Sequence, residues 1–81
     1  MVTAPAATVR WGYFWAADLI DVRLDTRRTR VTARVVSADA GRIGRAGLVL
    51  AVPHGRGAWR WRLGAVTVAG DRLAADLNTE V

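Results

Sequence analysis

Arginine is the residue type in this chain with the clearest capacity for binding chemistry. All twelve basic side chains of the 81 residues are arginine, and there is no lysine. Nine of the twelve lie from Arg27 to Arg62, a stretch with one acid, Asp39, and therefore a net charge of +8. Guanidinium groups bind phosphates and carboxylates through paired hydrogen bonds. The stretch indicates a polyanionic or acidic partner, without saying which.

Seven of these arginines are predicted to contact that partner. They fall on predicted hairpin tips, on a glycine-rich loop at residues 39–47, or on the polar side of a strand, where binding residues concentrate. The candidates are Arg27, Arg28, Arg42, Arg45, Arg56, Arg60 and Arg62. Arg30 and Arg34 are expected to be structural, because a predicted hairpin places Asp25 and Asp21 opposite them. Arg10, Arg23 and Arg72 are interpreted as solvated surface residues.

Aromatic residues suggest a second kind of contact. Between residues 8 and 15, three aromatic side chains alternate with polar residues while Phe14 lies on the other parity, which predicts one strand that is apolar on both sides. One side is then a candidate patch for a protein partner. With the apolar N-terminal arm, the predicted protein interface is Val2, Pro5, Trp11, Tyr13, Phe14 and Trp15. Trp59 and Trp61 are expected in the core, with base stacking as their alternative role.

Residues for catalysis or metal binding are sparse. His54 is the only histidine, Ser37 is the only serine, and there is no cysteine. Nothing in the spacing brings His54 and Ser37 together beside an aspartate, as a triad would need. Gly41, Gly44 and Gly47 do not match the spacing of a phosphate-binding loop, so a mobile basic loop is the default interpretation. We therefore expect no enzyme activity, no cofactor, no metal and no small-molecule substrate.

The elements that must position these residues are strands. Apolar and polar residues alternate with a period of two along most of the chain, which is typical of strands. Three hairpins have registers in which apolar residues meet apolar residues. Their predicted pairs include Asp25–Arg30, Leu24–Val31, Val22–Ala33, Asp21–Arg34, Val52–Trp59, Leu50–Trp61, Leu48–Leu63, Val68–Leu73 and Val66–Ala75. The last hairpin turns at Gly70-Asp71 and suits a type II′ turn.

These elements predict an all-β protein. We expect a small antiparallel barrel or sandwich of about six short strands, mostly connected by hairpins. Residues 1–7 are predicted to form an extended apolar arm that lies on its own barrel or on a neighbour, and residues 8–81 a single small β domain. Residues 15–18 are predicted to be a short connection or helical turn. Residues 71–78 have a helix capped by Asp71 as an alternative to a strand.

The location expected from the sequence is inside a cell or in an assembled particle. No signal peptide is predicted from the first residues, and no stretch approaches the roughly 20 apolar residues of a transmembrane helix. We therefore expect a cytoplasmic or virion-associated protein with no membrane partner. A domain of this size has marginal stability, which oligomerisation or docking would reinforce.

Three functional hypotheses follow from the sequence. The first is a structural subunit of a virion or scaffold, which docks on copies of itself or on a larger assembly through the arm and the aromatic strand. Its basic loops would face an acidic partner or nucleic acid. The second is a stand-alone barrel that binds DNA or RNA through its arginine-rich loops. The third is a small regulator or inhibitor that binds an acidic protein surface.

Overall fold

The chain folds into six antiparallel strands and no helix in the computed structural model, which describes residues 1–81. The strands are β1 (Val2–Trp11), β2 (Phe14–Asp25), β3 (Arg30–Ala38), β4 (Leu48–His54), β5 (Gly57–Ala69) and β6 (Arg72–Glu80). They close into a barrel with the order β1-β2-β3-β6-β5-β4, in which β4 pairs with β1. The predicted all-β class is confirmed, and of the two predicted architectures, barrel and sandwich, the structure has the barrel. The structure contains no helix long and apolar enough to cross a membrane.

The core is one cluster of sixteen buried residues, and all of them are apolar. Most of them come from alternate positions of the strands, because successive side chains of a strand point to opposite faces of the sheet; the exceptions lie on β2, where the register shifts. Five leucines are at most 1% exposed: Leu19, Leu24, Leu48, Leu50 and Leu73. Burying a side chain of this size contributes about 1.5–3 kcal/mol, so these positions hold the barrel closed.

Most of the predicted hairpin registers are confirmed. The structure forms the pairs Asp25–Arg30, Leu24–Val31, Val52–Trp59, Leu50–Trp61, Val68–Leu73 and Val66–Ala75. The β4–β5 ladder ends at Val49–Arg62, one rung before the predicted Leu48–Leu63 pair. The tail is strand β6, so the helical alternative for residues 71–78 is wrong. Gly70 has a φ of +63° as the first residue of its two-residue turn, as a type II′ turn requires.

A β-bulge removes two predicted rungs of the β2–β3 hairpin, Val22–Ala33 and Asp21–Arg34, neither of which forms. Ile20, not Asp21, pairs with Arg34, and Arg23 pairs with Thr32. Two residues of β2 therefore stand opposite one residue of β3, and Asp21 takes a φ of +50°. Such a φ is uncommon for a residue other than glycine, and it bends the strand. The predicted Asp21–Arg34 pairing is thus wrong as a ladder rung, although the two side chains still approach to 4.0 Å.

The predicted single aromatic strand at residues 8–15 is wrong. Gly12 has a φ of +61° and forms a turn with Tyr13, so Trp11 ends β1 and pairs with Phe14 at the start of β2. After this turn, the even-numbered and odd-numbered residues exchange the sides of the sheet on which they lie. The change is not visible in the sequence pattern, because residues 11, 13, 14 and 15 are all aromatic. The predicted connection at residues 15–18 also lies inside β2.

The predicted N-terminal arm lies on its own barrel. Residues 2–7 are extended and belong to β1, where they pair with β2 from Val2–Leu24 to Ala7–Leu19. β1 pairs with β4 only from Thr8 to Trp11. The two strands that close the barrel are therefore not paired along residues 2–7 of β1, and we call this stretch the open seam. The two prolines of the chain, Pro5 and Pro53, lie on the two strands that border this open seam. Proline cannot donate a ladder hydrogen bond, so both residues limit pairing with another strand there.

The barrel has two ends that carry different connections. We call one the termini end; it carries Met1, Val81, the β2–β3 turn at residues 26–29 and the β4–β5 turn at residues 55–56. We call the other the loop end; it carries the β1–β2 turn, the long β3–β4 loop at residues 39–47 and the β5–β6 turn. The candidate binding residues divide between these two ends and the outer wall.

Candidate nucleic-acid interface

The seven arginines predicted to bind a partner do not form one cluster. Arg27, Arg28 and Arg56 lie in the two turns of the termini end, while Arg42 and Arg45 lie in the β3–β4 loop at the opposite end. Arg60 and Arg62 lie on β5, on the outward side of the wall. A single ligand surface made of all seven is therefore not present.

Arg42 is held by contacts within the fold. Its Nη1 donates a hydrogen bond of 3.0 Å to the carbonyl oxygen of Trp15 and lies 3.7 Å from a carboxylate oxygen of Asp39. Its guanidinium carbon lies 4.8 Å from the centre of the Phe14 ring. These contacts tie the β3–β4 loop to the start of β2.

Arg45 fixes the same loop from its other side. Its Nε donates to the carbonyl oxygen of Gly41 at 3.1 Å, and its guanidinium carbon lies 4.6 Å from the centre of the Trp11 ring. The carboxylate of Asp39 accepts hydrogen bonds from the backbone N–H groups of Gly41 and Arg42. Ile43, between these residues, packs against the core at the loop end. The loop arginines thus have an intramolecular role that the sequence did not indicate.

The outer wall carries a separate surface that we call the basic face: Arg10, Arg60 and Arg62, with Val49 and Ala51 between them. Arg10 of β1 pairs with Val49 of β4, which pairs with Arg62 of β5, and Ala51 pairs with Arg60. Leu50, between Val49 and Ala51, is fully buried, so these neighbours face outward. The three arginines therefore project from one side of the sheet.

No carboxylate lies within 4.0 Å of any guanidinium of the basic face. Arg10 donates one long hydrogen bond, of 3.3 Å, to the carbonyl oxygen of Tyr13. Residues 40–70 contain five arginines and no acid, so β4 and β5 have no carboxylate of their own to offer. By strand geometry, Arg60 and Arg62 are about 7 Å apart along β5, and Arg10 is about 10 Å away across two strands.

One aromatic side chain, Trp15, borders the basic face, and an aromatic pair lies at the end of the β4–β5 hairpin on the other side of the sheet. Trp15 pairs with Arg10 across β1 and β2, and its Nε1 donates to Asp18 at 3.0 Å. At the termini end, the rings of His54 and Trp59 stack with centroids 4.1 Å apart and an interplanar angle of 23°. Arg56 lies in the turn between them in the sequence. The β4–β5 hairpin thus combines arginines with a flat aromatic pair.

The prediction that Trp59 is a core residue is wrong, while Trp61 does pack against the core. Trp59 is 36% exposed although its ladder partner Val52 is buried. Its position in the alternation is that of an inward-facing residue, but it lies near the termini end, where its ring stacks on His54. Trp61, two residues nearer the middle of the barrel, is half-buried.

The six residues predicted as a protein interface are also dispersed. Val2 and Pro5 lie in the N-terminal half of β1, and Trp11 is half-buried beneath Arg45. Tyr13 and Phe14 lie at the loop end and are 96% and 53% exposed. Trp15 lies on the outer wall beside Arg10. Of the four aromatic residues in this set, Tyr13 and Phe14 are the exposed ones.

The two arginines predicted to be structural both form ion pairs, and Arg34 keeps its predicted contact with Asp21, at 4.0 Å, beside a closer one. Arg30 contacts Asp76 of β6 at 3.5 Å and not the predicted Asp25. Arg34 donates from Nε and Nη2 to one carboxylate oxygen of Asp71, at 3.2 and 3.0 Å. β3 lies between β2 and β6, and only β2 is adjacent to it in the chain, so the hairpin pattern could not indicate the acids of β6 and of the turn before it. The hydrogen bonds and charge of Arg34 lower the pKa of Asp71 below its ordinary value.

His54 and Ser37, the only residues of their types, lie in different parts of the barrel. His54 ends β4 at the termini end, whereas Ser37 lies near the end of β3 that leads to the long loop. The structure places no group of three or more His, Cys, Asp or Glu side chains where they could hold a metal ion.

Comparisons with known proteins add no relative. No protein-family model, curated protein or solved structure matches the chain.

Proposed function

We propose that this protein is a non-enzymatic nucleic-acid-binding barrel that contacts the phosphate backbone with its basic face. The observation that carries the proposal is the set of Arg10, Arg60 and Arg62 on one outward surface, with no carboxylate within 4.0 Å. Arg28, Arg30, Arg34 and Arg42 have an acid within that distance. Other arginines also lack an acid, so the distinguishing feature of Arg10, Arg60 and Arg62 is that they share one outward surface.

The electrostatics of this surface favour an anionic partner. Two like charges about 7 Å apart in water repel by about 0.6 kcal/mol, and the repulsion grows as solvent is excluded. A phosphate between two guanidiniums reverses the sign of that interaction and accepts paired hydrogen bonds from each. Release of counterions from the nucleic acid adds a favourable term that depends on salt.

The aromatic neighbours favour nucleic acid over an acidic protein surface. The exposed Trp59 ring is stacked on His54 at the end of the hairpin that carries Arg60 and Arg62, although on the other side of the sheet. Aromatic rings beside a basic strip are typical of proteins that bind single strands, because bases stack on the rings while the backbone follows the charges. Stacking contributes about 1–3 kcal/mol per base. An acidic polypeptide offers no comparable partner for the rings.

The test is fluorescence anisotropy with a labelled single-stranded oligonucleotide and, separately, labelled poly-glutamate, at about 50 mM salt, where phosphate contacts are strong. We expect the oligonucleotide to bind and the double variant Arg60→Ala/Arg62→Ala to bind about tenfold or more weakly. The control is Arg27→Ala/Arg28→Ala, which removes the same charge from the termini end. Equal weakening by both variants would mean that net charge, not the basic face, causes binding. Binding of poly-glutamate alone would point to an acidic protein instead.

A second candidate function has one specific observation in its favour. Tyr13 is 96% exposed and Phe14 is 53% exposed at the loop end. We propose that these rings are the docking point if the barrel is a subunit of a virion or scaffold. The arm gives this function no support, because residues 2–7 are part of β1. Light scattering on the nuclease-treated protein, compared with Tyr13→Ser/Phe14→Ser, tests it: an oligomer that the variant does not form supports docking, and a monomer in both contradicts self-assembly.

A further inference from the structure

A groove lies on the side of the barrel opposite the basic face. It crosses the outer surface of β1, β2, β3, β6 and β5 and has a volume of about 730 Å³. β3, at its centre, is diametrically opposite β4 in the closed order of strands. Three of its lining residues are arginines: Arg23, Arg34 and Arg72. Asp21, the residue at the β2 bulge, is its only acidic lining residue.

Two of these arginines stand directly opposite each other. Arg34 of β3 and Arg72 of β6 are ladder partners, so their side chains leave the sheet on the same side. Like charges at directly opposite positions destabilise a strand pair. Asp71 compensates Arg34, to which it is joined by two hydrogen bonds, and Asp21 approaches the same guanidinium. Arg72 has no carboxylate within 4.0 Å.

Arg23 provides a second uncompensated charge on the other wall of the groove. It has no carboxylate within 4.0 Å. Strand geometry places its Cα about 10 Å across the sheet and about 7 Å along it from that of Arg72. Between them on β3 lie Thr32, in the row of Arg23 and Ala74, and Arg34, in the row of Arg72. The long side chains of Arg23 and Arg72 can therefore reach toward each other beside the Arg34–Asp71 ion pair.

We infer that this groove binds a ligand that carries one or two phosphate groups, between Arg23 and Arg72. Arg34 acts as a positioning residue, because Asp71 holds two of its nitrogen atoms and fixes its plane beside Arg72. The phosphate comes either from a free small molecule or from a nucleic-acid backbone. The groove is separate from the basic face, so this inference does not depend on the proposed function.

The test uses inorganic pyrophosphate titrated into the ¹⁵N-labelled protein, with backbone amide shifts as the readout. We expect saturable shifts at residues 23, 32–34 and 72–74, and affinity reduced about tenfold by Arg72→Ala or Arg23→Ala. Arg62→Ala on the opposite wall removes the same charge and should leave the affinity within about twofold, since exposed charges more than a Debye length apart are largely screened. Before pyrophosphate is added, the amide shifts of each variant should match those of the parent at residues far from the substitution, which establishes that the variant is folded.

Two results would overturn the inference. One is the lack of saturation up to about 10 mM pyrophosphate, an affinity too weak for a built site. The other is equal weakening by Arg62→Ala and Arg72→Ala, which would mean diffuse attraction to net charge. A labelled oligonucleotide distinguishes the two sources of phosphate: if Arg72→Ala weakens its binding as well, the groove holds nucleic-acid backbone. If only pyrophosphate binding is weakened, the ligand is a free phosphate compound.

Discussion

Arg34 and Asp71 join strand β3 to the turn between β5 and β6. Two nitrogens of the guanidinium donate to the same carboxylate oxygen, at 3.2 and 3.0 Å, although the residues are 37 positions apart in the chain. The backbone N–H of Val35 also donates to the carbonyl oxygen of Asp71 at 2.6 Å. The loop end of the barrel is therefore fastened by side-chain and backbone contacts at one point.

The first prediction concerns the pH dependence of this contact. Arg34 lowers the pKa of Asp71 below its ordinary value of 3.8, so the contact stabilises the folded state above that value and is lost as the pH falls through the lowered pKa. Asp71→Asn should reduce the unfolding midpoint slightly at pH 7, and the difference from the parent should vanish below the folded pKa. Thermal unfolding from pH 7 to pH 2 measures this. A difference that grows as the pH falls below 3.8 would contradict the assigned sign.

The second prediction concerns the hairpin turns. Gly70 has a φ of +63°, and no atom lies within 4 Å of the point where a Cβ would stand, so alanine would be strained by its backbone and not by a clash. Gly70→Ala should lower the free energy of unfolding by about 1–2 kcal/mol. Gly44, in the long loop, also has open space but no positive φ, so Gly44→Ala is the matched control and should not be destabilising. Urea denaturation compares them, and equal losses would contradict the explanation.

The third prediction separates the loop arginines from those of the basic face. Arg45→Ala removes the contact with the Trp11 ring and should cost about 0.5–1 kcal/mol of stability, as expected for an exposed cation–π pair. Its effect on oligonucleotide binding should be smaller than that of Arg62→Ala. Arg62→Ala should leave stability nearly unchanged, because Arg62 makes no ion pair. Parallel urea and anisotropy measurements check both, and a reversed pattern would place the binding site on the loop.

The fourth prediction concerns the core. Leu50 is fully buried and lies next to the basic face along β4, so Leu50→Ala should destabilise the barrel by about 2–5 kcal/mol. That is a large part of the stability of a domain of this size. Val36 is 62% exposed, and Val36→Ala should change stability by less than about 0.5 kcal/mol. Similar losses in the two variants would contradict the assigned inside and outside of the wall.

Local pairing could be predicted from the sequence because a hairpin register depends on residues close together in the chain. The Val52–Trp59 and Val68–Leu73 pairs follow from alternation and turn length alone, and both are confirmed. The closure of β1 on β4 and the pairing of β3 with β6 depend on residues far apart in sequence. Alternation carries no information about which distant strand becomes a neighbour. The predicted partner of Arg30 is therefore wrong, and the closer partner of Arg34, Asp71, was not predicted.

For the same reason, only part of the candidate site could be predicted from the sequence. The outward direction of Arg60 and Arg62 follows from their alternation with Trp59 and Trp61. Their proximity to Arg10 follows only from the β1–β4 pairing. Arg23 and Arg72 looked like isolated surface charges, because the groove that holds both forms only when β2, β3 and β6 are assembled.

The most direct test of the proposed function is the salt dependence of oligonucleotide binding by the parent and by Arg60→Ala/Arg62→Ala. Each phosphate contact contributes about 0.7 to the slope of log K against log salt for a single strand, so losing two contacts should reduce that slope by about 1.4. The Arg27→Ala/Arg28→Ala variant should keep the slope of the parent. A slope unchanged by the loss of Arg60 and Arg62 would show that the basic face does not contact the phosphates, and would contradict the proposed function.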